Sequence, residues 1–210
     1  MKSAPPERSW PVRPVIGPNL GPVIGLAALF LTMAFALVSS MVPATAVAQQ
    51  SKVYETVSEP KLKPGMEIPE PTGPVVLTVS GRIKSAKPVH FDLAMLESLG
   101  LIRFTTPTSW TTEPATFEGV LLSALLDVVG PDPAATSLKL IAHNDFESPA
   151  PIEDGRKWPV MLALKRDGEY MSRRDRGPVW MVYPQHAYPE LGQREYFSRW
   201  VWQLKAITVE

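Results

Sequence analysis

Residues 105–110, TTPTSW, place three threonines, a serine and a proline ahead of a tryptophan. A hydroxyl becomes a nucleophile only beside a base that removes its proton, and the chain has three imidazoles to offer: His90, His143 and His186. His143 opens the stretch HNDFE, in which His143, Asp145 and Glu147 alternate. On a strand they would share one face, as a divalent cation requires, although the same alternation also describes a solvated strand end. His186, in YPQHAYPELG, lies among turn residues, where a ligand-facing loop and a plain surface loop are equally open readings. His90 precedes a helical pattern and reads as a surface capping residue. The cluster SRRDRG, residues 172–177, offers the forks of Arg173, Arg174 and Arg176 to a phosphate or carboxylate, or else forms a solvated hairpin tip. Trp110, Trp158, Trp180, Trp200 and Trp202 either line a pocket for a flat ligand or fill a core.

Several chemistries are absent from the sequence. The chain contains no cysteine, which removes disulfides, thiolate metal sites and cysteine nucleophiles together. The GxSxG, GxxxxGK[ST], HExxH and GxGxxG patterns of hydrolases, NTPases, zinc proteases and dinucleotide binders do not occur. Lys and Arg number 21, as do Asp and Glu, so no basic field draws the protein to nucleic acid.

The elements that position these residues follow from periodicity. VVLTVSG (75–81) alternates and ends in Gly, as a strand does. FDLAMLESLG spaces Leu93, Leu96 and Leu99 helically, with Asp92 as N-cap and Gly100 as stop. LIRFTT predicts a strand leading into the hydroxyl-rich loop. FEGVLLSALLDVVG predicts a helix with a stripe of Leu121, Leu122, Leu125, Leu126 and Val129, ended by Gly130-Pro131. SLKLIAHNDF predicts a strand running into a polar turn, PVMLALKRDGEYM a hairpin turning at Asp167-Gly168, and GPVWMVYP a strand buried on both faces. The C-terminal stretch YFSRWVWQLKAITVE predicts one helical turn and a final strand. Together these make an α+β domain, a mixed β-sheet with short helices, over residues 75–210.

Ahead of it, residues 1–48 have the form of a signal peptide or N-terminal membrane anchor: Lys2, Arg8 and Arg13 precede an uncharged apolar run over residues 23–38. Ala46 and Ala48 suit cleavage after Ala48, whereas extension over residues 20–42 would reach the length of a bilayer span. Either outcome places the domain outside the cytoplasm, in the periplasm or cell envelope. Residues 49–74, with five prolines in SEPKLKPGMEIPEPTGP, read as a tether.

Taken in order, LTVSGRI, FDLAMLESL, SWTTEPATFEGVLLSALLDVVG, DGEYMSRRDRGPVWMVYP and WQLKAITV resemble the molybdopterin-binding domain of the sulfite-oxidase type. The resemblance implies a fold that holds a pterin dithiolene and its molybdenum, with a cysteine thiolate completing the ligand set. That cysteine's place falls on Thr106, with Trp110 keeping its position. An arginine usual in the buried strand falls on Trp180, and a basic residue before the last strand falls on Trp202. A threonine hydroxyl is a hard, protonated donor and cannot stand in for thiolate. The expectation is therefore a retained fold without the standard molybdenum reaction and with no cofactor. On that reading it is an exported module binding a small ligand or an envelope partner through Trp110, Arg173, Arg174, Trp180 and His186. The alternative is a molybdopterin-dependent oxidoreductase without the cysteine ligand. The lack of adjacent arginines near the N-terminus favours export as an unfolded chain, hence an empty cleft.

Overall fold

The computed structural model describes residues 53–210; the leader or anchor read over residues 1–48 lies outside them. No helix among the described residues is long and apolar enough to cross a membrane.

Among the described residues eleven strands form two sheets. The first contains β1 (Glu55–Thr56), β4 (Leu101–Thr106), β5 (Ala115–Leu121), β8 (Met161–Arg166) and β10 (Trp180–Val182) in that order, with β9 (Glu169–Tyr170) also on β8. The second runs β3 (Val89–Phe91), β2 (Leu77–Gly81), β11 (Leu204–Val209), β6 (Ser137–Ala142), β7 (Glu147–Pro151). Only β2 and β11 pair in parallel. Alternation in β2 and β6 buries every second side chain, Leu77 and Val79 or Leu138, Leu140 and Ala142, which is the pattern of a sheet with one wet face. α1 (Leu93–Glu97), α2 (Leu122–Val129) and α3 (Asp154–Lys157) are short. The result is the mixed α+β architecture expected from the sequence.

The predicted helix over 117–130 is only half helical. Its first half, Phe117 to Leu121, belongs to β5, which lies between β4 and β8. Gly119 decides this locally, because a Cβ there would collide with the Leu162 carbonyl; its absence lets β8 close on β5 at a bulge. The leucine run satisfies period two up to Leu121 and the helical period after it, and Leu122, Leu125, Leu126 and Val129 keep their buried stripe. Gly130 ends α2 in the left-handed region at φ 61°, as its sequence position predicts.

The stretch read as a tether is extended, yet from residue 53 onward it lies on the domain. β1 pairs with β4, the N–H groups of Lys61 and Leu62 donate to the Ser98 carbonyl, and Leu62 is buried. Asp92 anchors its far end. One carboxylate oxygen accepts from the Met95 N–H at 2.8 Å and caps α1; the other accepts from the N–H groups of Thr72 and Gly73 at 2.9 and 2.8 Å. These donors, Met95 first and then Gly73, hold the Asp92 carboxyl below its ordinary value of 3.8 against the opposing effect of burial. A carboxyl so lowered stabilises the fold fully above the unfolded value and loses that contribution as the pH falls through the folded one. Asp92→Ala is therefore expected to cost about 2 kcal/mol at pH 7. In urea titrations the gap from the parent protein should close as the pH is taken below 3.8.

Candidate binding site

β4 delivers Thr106 to the start of the loop over residues 107–114. Within it the Thr108 hydroxyl contacts that of Thr111 at 2.9 Å and accepts from the Trp110 N–H at 3.1 Å, a local turn that sets the direction of Trp110. The Trp110 ring then meets four others: Trp202 at 5.6 Å, Phe197 at 5.7 Å, Trp200 at 5.8 Å and Trp180 at 6.3 Å between centroids. Edge-on and tilted contacts at these distances are attractive beyond the area they bury.

Arg176 closes this cluster. It adopts the left-handed conformation at φ 72°, donates to the Trp110 carbonyl at 2.9 Å, and lies 5.3 Å from the Trp202 ring and 5.4 Å from that of Trp180. A cavity of about 420 Å³ opens beside Trp110, lined by Asn144, Phe146, Phe197, Trp200 and Trp202. On the other side of Trp110 a polar recess of about 360 Å³ is lined by Thr111, Thr112, Arg166 and Arg176. The pair offers stacking faces next to guanidinium groups, which suits a flat ring with polar substituents.

The residues expected from sequence are only partly gathered here. Trp110 lines both spaces. Trp180 is a neighbour of Trp110 but is fully buried, packed on Phe117 with its indole N–H on the Trp200 carbonyl, so it supports the site from the core. Arg173 and Arg174 are exposed on a 3-10 turn over Arg173–Asp175 and line neither space beside Trp110, whereas Arg176 lines the polar recess. His186 belongs elsewhere. Its ring lies against Phe104 at 5.1 Å, its Nε2 is 2.9 Å from the Val53 carbonyl, and its backbone N–H donates to the Thr106 hydroxyl at 3.1 Å.

The metal reading of His143, Asp145 and Glu147 fails on geometry. Asp145 takes the left-handed conformation, which breaks the alternation, and pairs with Lys205 at 2.5 Å; Glu147 faces Lys139 at 3.9 Å. Burial, then the charges of Arg173 and Lys205, lower the His143 pKa below its ordinary value. No group of His, Asp and Glu able to hold a metal occurs among the described residues. His90 does not cap α1, a task Asp92 performs; its Nδ1 lies 3.1 Å from the Thr78 hydroxyl.

Thr106 is fully buried. Besides accepting from His186, its hydroxyl contacts the Pro107 carbonyl at 3.3 Å, and it lines neither space beside Trp110. The family model for the oxidoreductase molybdopterin binding domain matches residues 76–209. The chain belongs to that family. Among solved structures it is similar to the sulfane dehydrogenase SoxCD from Paracoccus pantotrophus, with 19% identity and a TM-score of 0.49, over 63% of this chain and 37% of that one. No curated protein matches it.

Family membership supports molybdopterin as the cofactor class of this fold, and the expectation of no cofactor gains nothing from it. The residues present do not fit a molybdenum centre ligated by the protein. The position that resemblance assigns to the thiolate carries a hydroxyl that is sealed from the surface and already hydrogen-bonded, and no cysteine exists elsewhere to replace it.

Phe146 and Phe197 were missed by sequence reasoning, whereas Arg176 was named there only as one arginine of the SRRDRG cluster. Phe146 had one available signal, a large apolar side chain in an otherwise polar turn, and it is 47% exposed.

Proposed function

We propose that this member of the molybdopterin-binding oxidoreductase family is an exported binding module. It takes a flat heterocycle, the pterin class first, in the aromatic cavity beside Trp110 and supplies no ligand to molybdenum. The observation that carries this reading is Trp110 itself, packed on four aromatic rings and Arg176 while still lining an open apolar space. Family membership supports the pterin class, and the sealed Thr106 hydroxyl argues against a metal bond from the chain. The second reading, a molybdopterin-dependent oxidoreductase whose metal has no protein ligand, draws its support from the family match over 76–209.

Calorimetry of the full chain with neopterin tests the pocket. Phe146→Ala, an exposed position whose loss should leave the fold intact, is expected to weaken binding about tenfold, as loss of one stacking face does. Equal affinity in that variant, or no heat with the parent protein, would sink the assignment. Molybdenum near one atom per chain in protein purified from its native envelope would instead establish the second reading.

A further inference from the structure

All five tryptophans of residues 53–210 belong to one chain of ring contacts, and Tyr183 and Tyr196 lie within it. The geometry points to a one-electron relay that runs from Trp110 at the cavity through Trp200 to Tyr183, where the oxidising equivalent rests while Asp154 takes the phenolic proton. This goes beyond ligand binding and requires no ligand in the cavity.

The distribution of charge selects the route. A cation over a ring disfavours removal of an electron from it, because the resulting positive charge is repelled. Arg176 covers Trp180 and Trp202, Lys157 covers Trp158 at 4.2 Å, and Arg199 covers Tyr196 at 4.8 Å. Trp110, Trp200 and Tyr183 form the uncovered path, with centroid separations of 5.8 Å at both steps. Both branches beyond Tyr183, through Trp158 and Tyr196, end under a cation, so the hole has no favourable exit on that side.

Two polar details fit the same route. The Trp200 N–H is buried with no protein group to accept its hydrogen bond. An indole radical cation with no proton acceptor keeps its full oxidising power and passes the hole on rather than trapping it. Tyr183 is the opposite case: its hydroxyl donates at 2.8 Å to a buried Asp154 oxygen that also accepts from Arg199 at 2.9 Å, so the proton has an acceptor, one whose charge Arg199 shares, and can leave with the electron. An outer-sphere metal-complex oxidant takes one electron from Trp110 and is reduced. Trp110 regains an electron from Trp200, and Trp200 regains one from Tyr183. The Tyr183 O–H bond breaks, its proton bonding to Asp154 and leaving a neutral phenoxyl radical.

Flash-quench oxidation of the full chain with photogenerated tris(bipyridine)ruthenium(III), followed by transient absorption, tests this. A tryptophan radical should appear first and decay as a tyrosyl radical grows in, more slowly in deuterium oxide. Tyr183→Phe should abolish the long-lived tyrosyl signal. Trp200→Phe, which keeps a ring but breaks the redox path, should delay its growth more than about tenfold. A tyrosyl radical of undiminished yield in Tyr183→Phe, unchanged timing in Trp200→Phe, or no tyrosyl radical in the folded parent protein would each overturn the relay. Because Trp200 also lines the cavity, the binding assignment is judged on the parent protein and Phe146→Ala and the relay on radical kinetics, so failure of one is distinct from failure of the other.

Discussion

Asp154→Ala is expected to lower the unfolding free energy by about 3 kcal/mol, read as a fall in the urea midpoint of tryptophan emission. The Asp154 side chain is 5% exposed, and a single oxygen accepts both from the Tyr183 hydroxyl at 2.8 Å and from the Arg199 guanidinium at 2.9 Å. Three separate segments meet at that atom: α3, the end of β10, and the 3-10 turn over Arg194–Arg199. Truncation leaves a fully buried phenol without an acceptor and a guanidinium, 22% exposed, without its counter-charge. The penalty comes from these stranded partners more than from the lost attraction, which distinguishes this change from Tyr183→Phe. The phenylalanine removes the donor with its hydrogen bond and should cost only about 1 kcal/mol. Equal effects of the two substitutions would show that Arg199 finds solvent when Asp154 is gone.

Nothing in local sequence announces that triad. Asp154 sits in EDGRK, a charged stretch that reads as surface; Arg199 lies immediately before an indole, and Tyr183 ends an apolar run. Their meeting is set by the path of the chain over intervals of 29 and 45 residues. By contrast, features governed by neighbours were legible: the Asp92 cap, the Asp167-Gly168 turn and the buried β10 all follow from spacing of a few residues, although α1 ends at Glu97 with Ser98 as its cap, short of the expected Gly100. Where two local signals overlapped, sequence misled. The leucines after Phe117 satisfy both periods, and only the approach of β8 at Gly119 resolves the first half into a strand.

The candidate site divides along the same line. Trp110 was visible because its loop is bounded by a strand and a turn of hydroxyl residues, and Trp200 and Trp202 because RWVWQ concentrates indoles near the terminus. Choosing among Arg173, Arg174 and Arg176 required knowing where the backbone enters the left-handed region, and that happens only at Arg176, immediately before Gly177. The proline-rich segment shows the converse. It has no periodicity to read, but its backbone donors are satisfied by β4, Ser98 and Asp92.

Thr106→Cys tests directly whether the position that the resemblance assigns to the thiolate is reachable in the folded protein. Because the parent sequence contains no cysteine, the variant carries a single thiol, and its modification by a disulfide reagent reports one position. Thr106 has no exposed surface, closes against the His186 backbone and Pro107, and lines neither space beside Trp110. The thiol should therefore react at least about a hundredfold more slowly in the folded protein than in urea, the ratio reflecting the free energy of local opening. Protection of that size means that neither space beside Trp110 extends to the position that the resemblance assigns to the thiolate, which agrees with the absence of a bond from the chain to metal. Rapid labelling in the folded state would mean that β4 ends in an accessible cleft, and the Thr106 hydroxyl would then no longer argue against a metal bond from the chain.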